Sequence, residues 1–227
     1  MHRKPSKAVS FDGPWLVVSA WPPELAWLKS AWARLGPGRR RVVLGNVGVG
    51  LVEAAVGASR LIAAHRPRTV LLIGTAGVYP GHRRELAVGS AAAVAETVLL
   101  PTAQPGSHAF LPALLPDRQP SSTGLLGRLV RATHLPTAHV ACPVAISASV
   151  RTARTAARHS GCALENLEAF AVARAATAAH LPFAAILGVA NVVGPDGHRE
   201  WKRNARQAAA AACQAALAFL TASDRGD

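Results

Sequence analysis

Carboxylates come first as candidates for chemistry, because the chain has only seven Glu and five Asp in 227 residues. Glu24 directly follows the apolar run Trp15–Ala20 and stands beside Leu25 and Leu28. Glu168 lies in Glu165-Asn166-Leu167-Glu168-Ala169-Phe170-Ala171, among small and apolar residues. A carboxylate withdrawn from water costs several kcal/mol unless it is paired or used. A helix N-terminus also attracts acids through its dipole, which accounts well for Glu165 and less well for Glu168. Asn191 follows the apolar run Phe183–Val189, where a polar side chain can meet a ligand or simply close a turn. His198, Trp201, Lys202 and Arg203 come next, but with nine His in the chain a single one carries little weight. No HExxH, serine elbow or phosphate loop is present.

Two glycine-bearing segments could bring backbone close to a ligand. Gly48-x-Gly50 lies between a strand pattern and a helix pattern, like part of a dinucleotide fingerprint. Its third glycine position is Glu53, and no acid follows about 20 residues on to hold a ribose. A close-packed turn is the better reading. Gly74-Thr75-Ala76-Gly77 ends the apolar strand Thr69–Ile73, where open α/β sheets bind ligands. A plain turn explains it equally well.

The elements that must position these residues alternate. Trp15–Ala20, Arg41–Leu44, Thr69–Ile73, Val88–Leu100, His139–Ala145 and Phe183–Val189 read as strands. Helices are expected from Pro22, where Pro suits a first turn, and over 51–64, 150–158, 168–179 and 198–220. Gly194–Gly197 reads as a turn. The alternation predicts an α/β fold with a central, largely parallel sheet. Residues 1–13 read as a flexible tail and 14–222 as a single domain. Residues 101–123, rich in Pro, Ser, Gly and Gln, read as a long loop, a kind that in compact domains is often functional.

Composition excludes several classes. Half the residues are hydrophobic and 16% are charged, so the chain is not of the disordered type. At 227 residues it can bury a core without disulfide staples. Cys142, Cys162 and Cys213 show neither zinc nor disulfide spacing, and a reduced, cytoplasmic compartment fits them. The apolar windows 86–100 and 207–220 fall short of the roughly 20 residues a bilayer needs, and the start lacks a signal-peptide pattern. The net charge of +13 comes from Arg. These Arg are scattered and not interleaved with aromatics, which argues against nucleic acid as a partner.

Five segments in order resemble one family. They are Ser19-Ala20-Trp21-Pro22-Pro23-Glu24-Leu25; Val47-Gly48-Val49-Gly50; Gly74-Thr75-Ala76-Gly77 with Leu86-Ala87-Val88-Gly89; Asn166-Leu167-Glu168-Ala169; and Phe183 through Ala190-Asn191. Together they resemble the nucleoside phosphorylase/nucleosidase superfamily over roughly residues 15–220. The resemblance implies a three-layer α/β fold, with a central mixed, mostly parallel sheet flanked by helices. It also implies a homo-oligomer, a purine nucleoside as substrate, and no metal or organic cofactor. The pattern is more similar to the hydrolytic branch, which carries a water-activating glutamate where Glu24 stands. The phosphorylases have a glycine-containing phosphate loop there, and Trp21-Pro22-Pro23 has no glycine. The family's Met-Glu pair, whose Glu binds ribose hydroxyls, corresponds to Leu167-Glu168.

Asn191 stands where adenine-specific members carry an aspartate. An amide can donate and accept at once, which suits N7 and a 6-oxo group. This is similar to the futalosine hydrolases, which release hypoxanthine in menaquinone biosynthesis. The implied roles are Glu24 and Asn191 in catalysis, with Thr75, Gly77, Leu167, Glu168 and Phe170 binding substrate. Phe170 and residues 146–149 are the candidates for base stacking. Another nucleosidase (methylthioadenosine/S-adenosylhomocysteine or adenosylhopane type) and a purine nucleoside phosphorylase stay open as alternatives. A non-catalytic nucleotide- or nucleic-acid-binding protein is the alternative of a different class.

Overall fold

The structure, a computed structural model, describes residues 14–36, 41–101 and 112–223. The expected tail at 1–13 lies outside the described residues. In chain order the elements are β1 (Trp15–Ser19), α1 (Pro22–Ala33), β2 (Val42–Asn46), α2 (Leu51–His65), β3 (Thr69–Val78), β4 (Ala91–Leu100), β5 (Arg118–Pro120), α3 (Thr123–Thr133), β6 (Thr137–Pro143), α4 (Val150–Ser160), β7 (Leu164–Glu165), α5 (Ala169–Ala178), β8 (Phe183–Val192) and α6 (Gly197–Ser223). The uninterrupted apolar runs become strands buried along their length, as β1 and β3 are.

Helices cover both sides of the sheet. Ala54 and Ala58 of α2 and the Ala-rich face of α5 pack on one side, with Val70, Leu72 and Leu187 of the strands. Leu25 and Leu28 of α1, Leu125 and Leu129 of α3, and Ala212, Ala216 and Phe219 of α6 pack on the other. Gly188 lets α6 lie directly on β8, since a methyl there would overlap the Ala208 carbonyl oxygen. Among the described residues no helix is long and apolar enough to cross a membrane.

The sheet is mixed, and it is not an open layer. β2, β1 and β3 pair in parallel. β3 then pairs with β8 in parallel, β8 with β4 antiparallel, β4 with β6 and β6 with β7 in parallel, and β7 returns antiparallel to β3. The last contact closes a ring, with β5 antiparallel on β4 outside it. Two bulges accompany the closure: Ala95 is an extra residue in β4 and Ala190 in β8. A bulge bends its strand and raises the local twist.

Three expectations need correction. Gly74–Gly77 is not a turn, because β3 runs on through Val78 and stays paired with β8. Asn191 likewise lies inside β8, which continues to Val192. The 101–123 segment is not a single loop. Residues 102–111 lie outside the described residues, but Arg118–Pro120 form β5 and α3 begins at Thr123. Backbone pairing to β4 overrides a local composition that reads as coil.

Candidate active site

A cleft of about 350 Å³ opens at the C-terminal ends of the strands. Ala20 and Glu24 border it after β1, Thr75, Ala76 and Gly77 from β3, Glu165 at the end of β7 with Asn166, Leu167 and Glu168 after it, and Asn191 from β8. Polar residues from chain positions 24, 75, 165–168 and 191 therefore meet in one place. Of the residues expected to form the site, Phe170 is not brought there. It packs in the core among α2, α5 and the strands, and its N–H faces Cys142 Sγ at 3.3 Å.

Glu24 sits in the first turn of α1, placed there by Pro22 and Pro23 at the helix start. It is 6% exposed. Its Oε1 accepts from the Thr75 N–H and the Thr75 hydroxyl, both at 3.0 Å, and its Oε2 accepts from the Ala20 N–H at 3.1 Å. Burial dominates these donors and pushes the carboxyl up to about 7. The charge of Glu168 adds to the rise. The side chain is thus held rigidly and exchanges a proton near neutrality.

Glu168 immediately precedes α5 and is also buried. Its Oε1 accepts from the Gly50 N–H at 2.9 Å and its Oε2 from Asn166 Nδ2 at 3.0 Å. Gly50 has φ +87, a conformation that glycine adopts without strain, and this turns its N–H toward Glu168. The Gly48-x-Gly50 turn therefore gives a backbone donor to a carboxylate. Asn166 caps the start of α5 through Oδ1, accepting from the N–H groups of Glu168 and Ala169 at 2.9 and 2.7 Å. Its Nδ2 also reaches the Thr75 carbonyl at 3.0 Å. A continuous bonded path thus joins Glu24, Thr75, Asn166 and Glu168. Burial raises the Glu168 carboxyl as well, against the Gly50 and Asn166 donors that lower it.

The bulge at Ala190 decides where Asn191 points. Up to Ala76–Val189 the β3–β8 register is regular, and after the extra residue Asn191 stands opposite Gly77. This turns Asn191 to the face that carries Thr75. A methyl at Gly77 would lie 2.9 Å from Asn191 Nδ2 and 2.7 Å from Val193, so glycine leaves the room the amide occupies. Asn191 Nδ2 donates to the Val192 carbonyl at 3.1 Å, leaving amide capacity toward the cleft.

Several lining residues had no assigned role in the sequence. Trp21 and Trp201 stand 6.0 Å apart at 35°, and His198 stacks on Trp201 at 6.0 Å and 8°. His198 and Trp201 are three apart on α6, a spacing that places both on one helix face and gave the available signal. Glu165 accepts from the Tyr79 hydroxyl at 2.9 Å and from the Ser147 N–H and hydroxyl at 2.9 and 2.6 Å. It thereby anchors the segment whose Ile146 borders the cleft.

Residues 33–221 match the phosphorylase superfamily. Futalosine hydrolase from Thermus thermophilus is 31% identical over 170 residues, spanning 69% of this chain and 72% of that protein. A 5′-methylthioadenosine/S-adenosylhomocysteine nucleosidase from Colwellia psychrerythraea, solved in complex with adenine, superposes with a TM-score of 0.80. It is 18% identical and the match covers 92% of this chain and 95% of that one. Futalosine hydrolase of Helicobacter pylori superposes with a TM-score of 0.81 at 11% identity, covering 93% and 98% of the two chains. At these identities the two structures speak for the fold.

Proposed function

The chain belongs to the phosphorylase superfamily, and on that premise we propose that it hydrolyses the N-glycosidic bond of a purine nucleoside of the futalosine type, releasing hypoxanthine. The observation that carries this reading is Glu24, a buried carboxylate gripped by three donors and pushed up to about 7. A general base works best when its pKa lies near the working pH. Glu24 orients water and takes its proton as the C1′–N9 bond stretches toward an oxocarbenium-like sugar. Glu168 accepts from the 2′- and 3′-hydroxyls, in bonds that strengthen as positive charge develops on the ribose. Thr75, Gly77 and Leu167 line the sugar and water side. Asn191 donates to the departing purine.

Hydrolysis is favoured over phosphorolysis by the charge of the cleft. Glu24, Glu165 and Glu168 all border it, and acids lining a cleft disfavour a phosphate dianion, by repulsion where they are ionised, more than they disfavour neutral water. Methylthioadenosine/S-adenosylhomocysteine nucleosidase activity is the second reading, favoured by the solved neighbour with adenine. The three buried, free cysteines agree with a reducing compartment such as the cytoplasm, and a place in menaquinone biosynthesis follows from the futalosine reading. A homo-oligomer is supported by apolar surface beside the cleft, where Val49, Val52 and Val56 are 60%, 74% and 61% exposed.

Asn191 separates the two nucleosidase readings. Hypoxanthine leaves with charge spread over N7 and O6, so a neutral amide donor suffices. Adenine has no O6 and gains from protonation at N7, which an amide cannot deliver. One donor aimed at developing charge typically contributes about 10²–10³ in rate. The wild type is expected to prefer a 6-oxopurine nucleoside over its matched 6-amino analogue, and Asn191→Asp to move that kcat/KM ratio toward the amino substrate. An unchanged ratio in the variant removes the role of Asn191. A wild type that prefers adenine favours the second reading.

A further inference from the structure

We propose that Trp201 is a positioning residue for Glu24: its indole N–H fixes the Thr75 hydroxyl in the orientation that donates to the Glu24 carboxylate. Trp201 Nε1 donates to Thr75 Oγ1 at 3.1 Å, and Thr75 Oγ1 donates to Glu24 Oε1 at 3.0 Å. An indole nitrogen is a donor only, while a hydroxyl has one proton and two lone pairs. With Trp201 occupying a lone pair, the Thr75 proton is directed to Glu24. Without it the hydroxyl is free to turn toward a local carbonyl, as Thr hydroxyls readily do. The ring of Trp201 itself packs against both His198 and Trp21. Trp21 directly precedes the turn of α1 that carries Glu24. The indole therefore ties α6 and β3 to the start of α1 through one bonded chain.

A hydrogen bond to a carboxylate favours its charged form. The other ionisable groups near Glu24 are Glu168 and Glu165 around the cleft, His198 stacked on Trp201, and Cys213 of α6, whose Sγ lies 3.0 Å from the Glu24 carbonyl oxygen. None of them is altered by removing the indole N–H alone. The inference rests on the nucleosidase reading only for its effect on turnover, so the test reads Glu24 directly.

The measurement is the carboxyl infrared band of isotope-labelled Glu, titrated in the ligand-free protein, with Glu24→Gln supplying the blank. Trp201→Phe keeps a stacked ring and removes the donor, and is expected to raise the Glu24 midpoint by about one pH unit, a tenfold change in proton affinity. The benzothienyl analogue of tryptophan at position 201 keeps the bicyclic ring with sulfur for N–H. It is expected to give the same shift even if the Phe variant folds poorly. In a Thr75→Val background the substitution should add nothing, because both changes act through one hydroxyl. An unchanged midpoint in the analogue, or an undiminished shift in the Thr75→Val background, overturns the proposal. In the active enzyme the acid limb of kcat/KM should move with the midpoint, whereas a purely wall-forming tryptophan would raise KM and leave the limb in place. A protein that titrates as described but cleaves no nucleoside defeats the functional reading and leaves this inference standing.

Discussion

Glu24→Gln is expected to lower kcat by about 10²–10⁴ while KM changes little, the loss typical of a removed general base. The substitution keeps the shape and Oε1 can still accept from Thr75, while the new NH₂ faces the Ala20 N–H and gives up that one bond. The larger loss is the ability to take a proton. The pH dependence follows with a definite sign. The carboxyl is pushed up to about 7, and only its charged form is a base. Wild-type kcat/KM should therefore rise as pH increases through about 7 and level off above it. The variant should lack that limb. Near-normal turnover in Glu24→Gln would reduce Glu24 to a structural acid that pins Ala20 to Thr75.

Glu168→Gln is expected to cost about 10²–10³ in turnover, as for other bonds aimed at developing charge. Both of its oxygens already accept from the protein, Oε1 from Gly50 and Oε2 from Asn166. A glutamine must turn an NH₂ toward one of these donors, so it both weakens the site and loses the charge the ribosyl cation would feel. The wild type should cleave a ribonucleoside far faster than its 2′-deoxy analogue, and the variant should narrow that ratio. A variant with near-normal turnover and an unchanged ratio would assign Glu168 to the start of α5 alone, where an acid favours the helix dipole.

Much of this arrangement is legible in the sequence because burial writes it there. The apolar runs at 15–19, 69–73 and 183–189 are strands, and the isolated carboxylates Glu24 and Glu168 border one cleft. What escapes the sequence depends on contacts between distant segments. Gly74 and Gly77 read as a turn, yet both lie within a paired strand, and at Gly77 the space a methyl would fill is taken by Asn191 and Val193. The bulge at Ala190 leaves no periodic trace, since one extra residue changes a side chain's face without changing composition. β5 and the ring closure through the two-residue β7 likewise depend on partners far along the chain. Phe170 is attractive beside Glu168 on sequence alone, but the first turn of α5 carries it into the core. Trp201 becomes meaningful only when α6 brings it to Thr75 across 126 positions.

Product analysis tests the central claim most directly. The purified protein is incubated with a 6-oxopurine nucleoside in phosphate-free buffer and again with added phosphate, and base and sugar products are quantified. The account predicts free hypoxanthine and an unphosphorylated sugar at the same rate in both. Turnover that requires phosphate and yields a sugar 1-phosphate would contradict it.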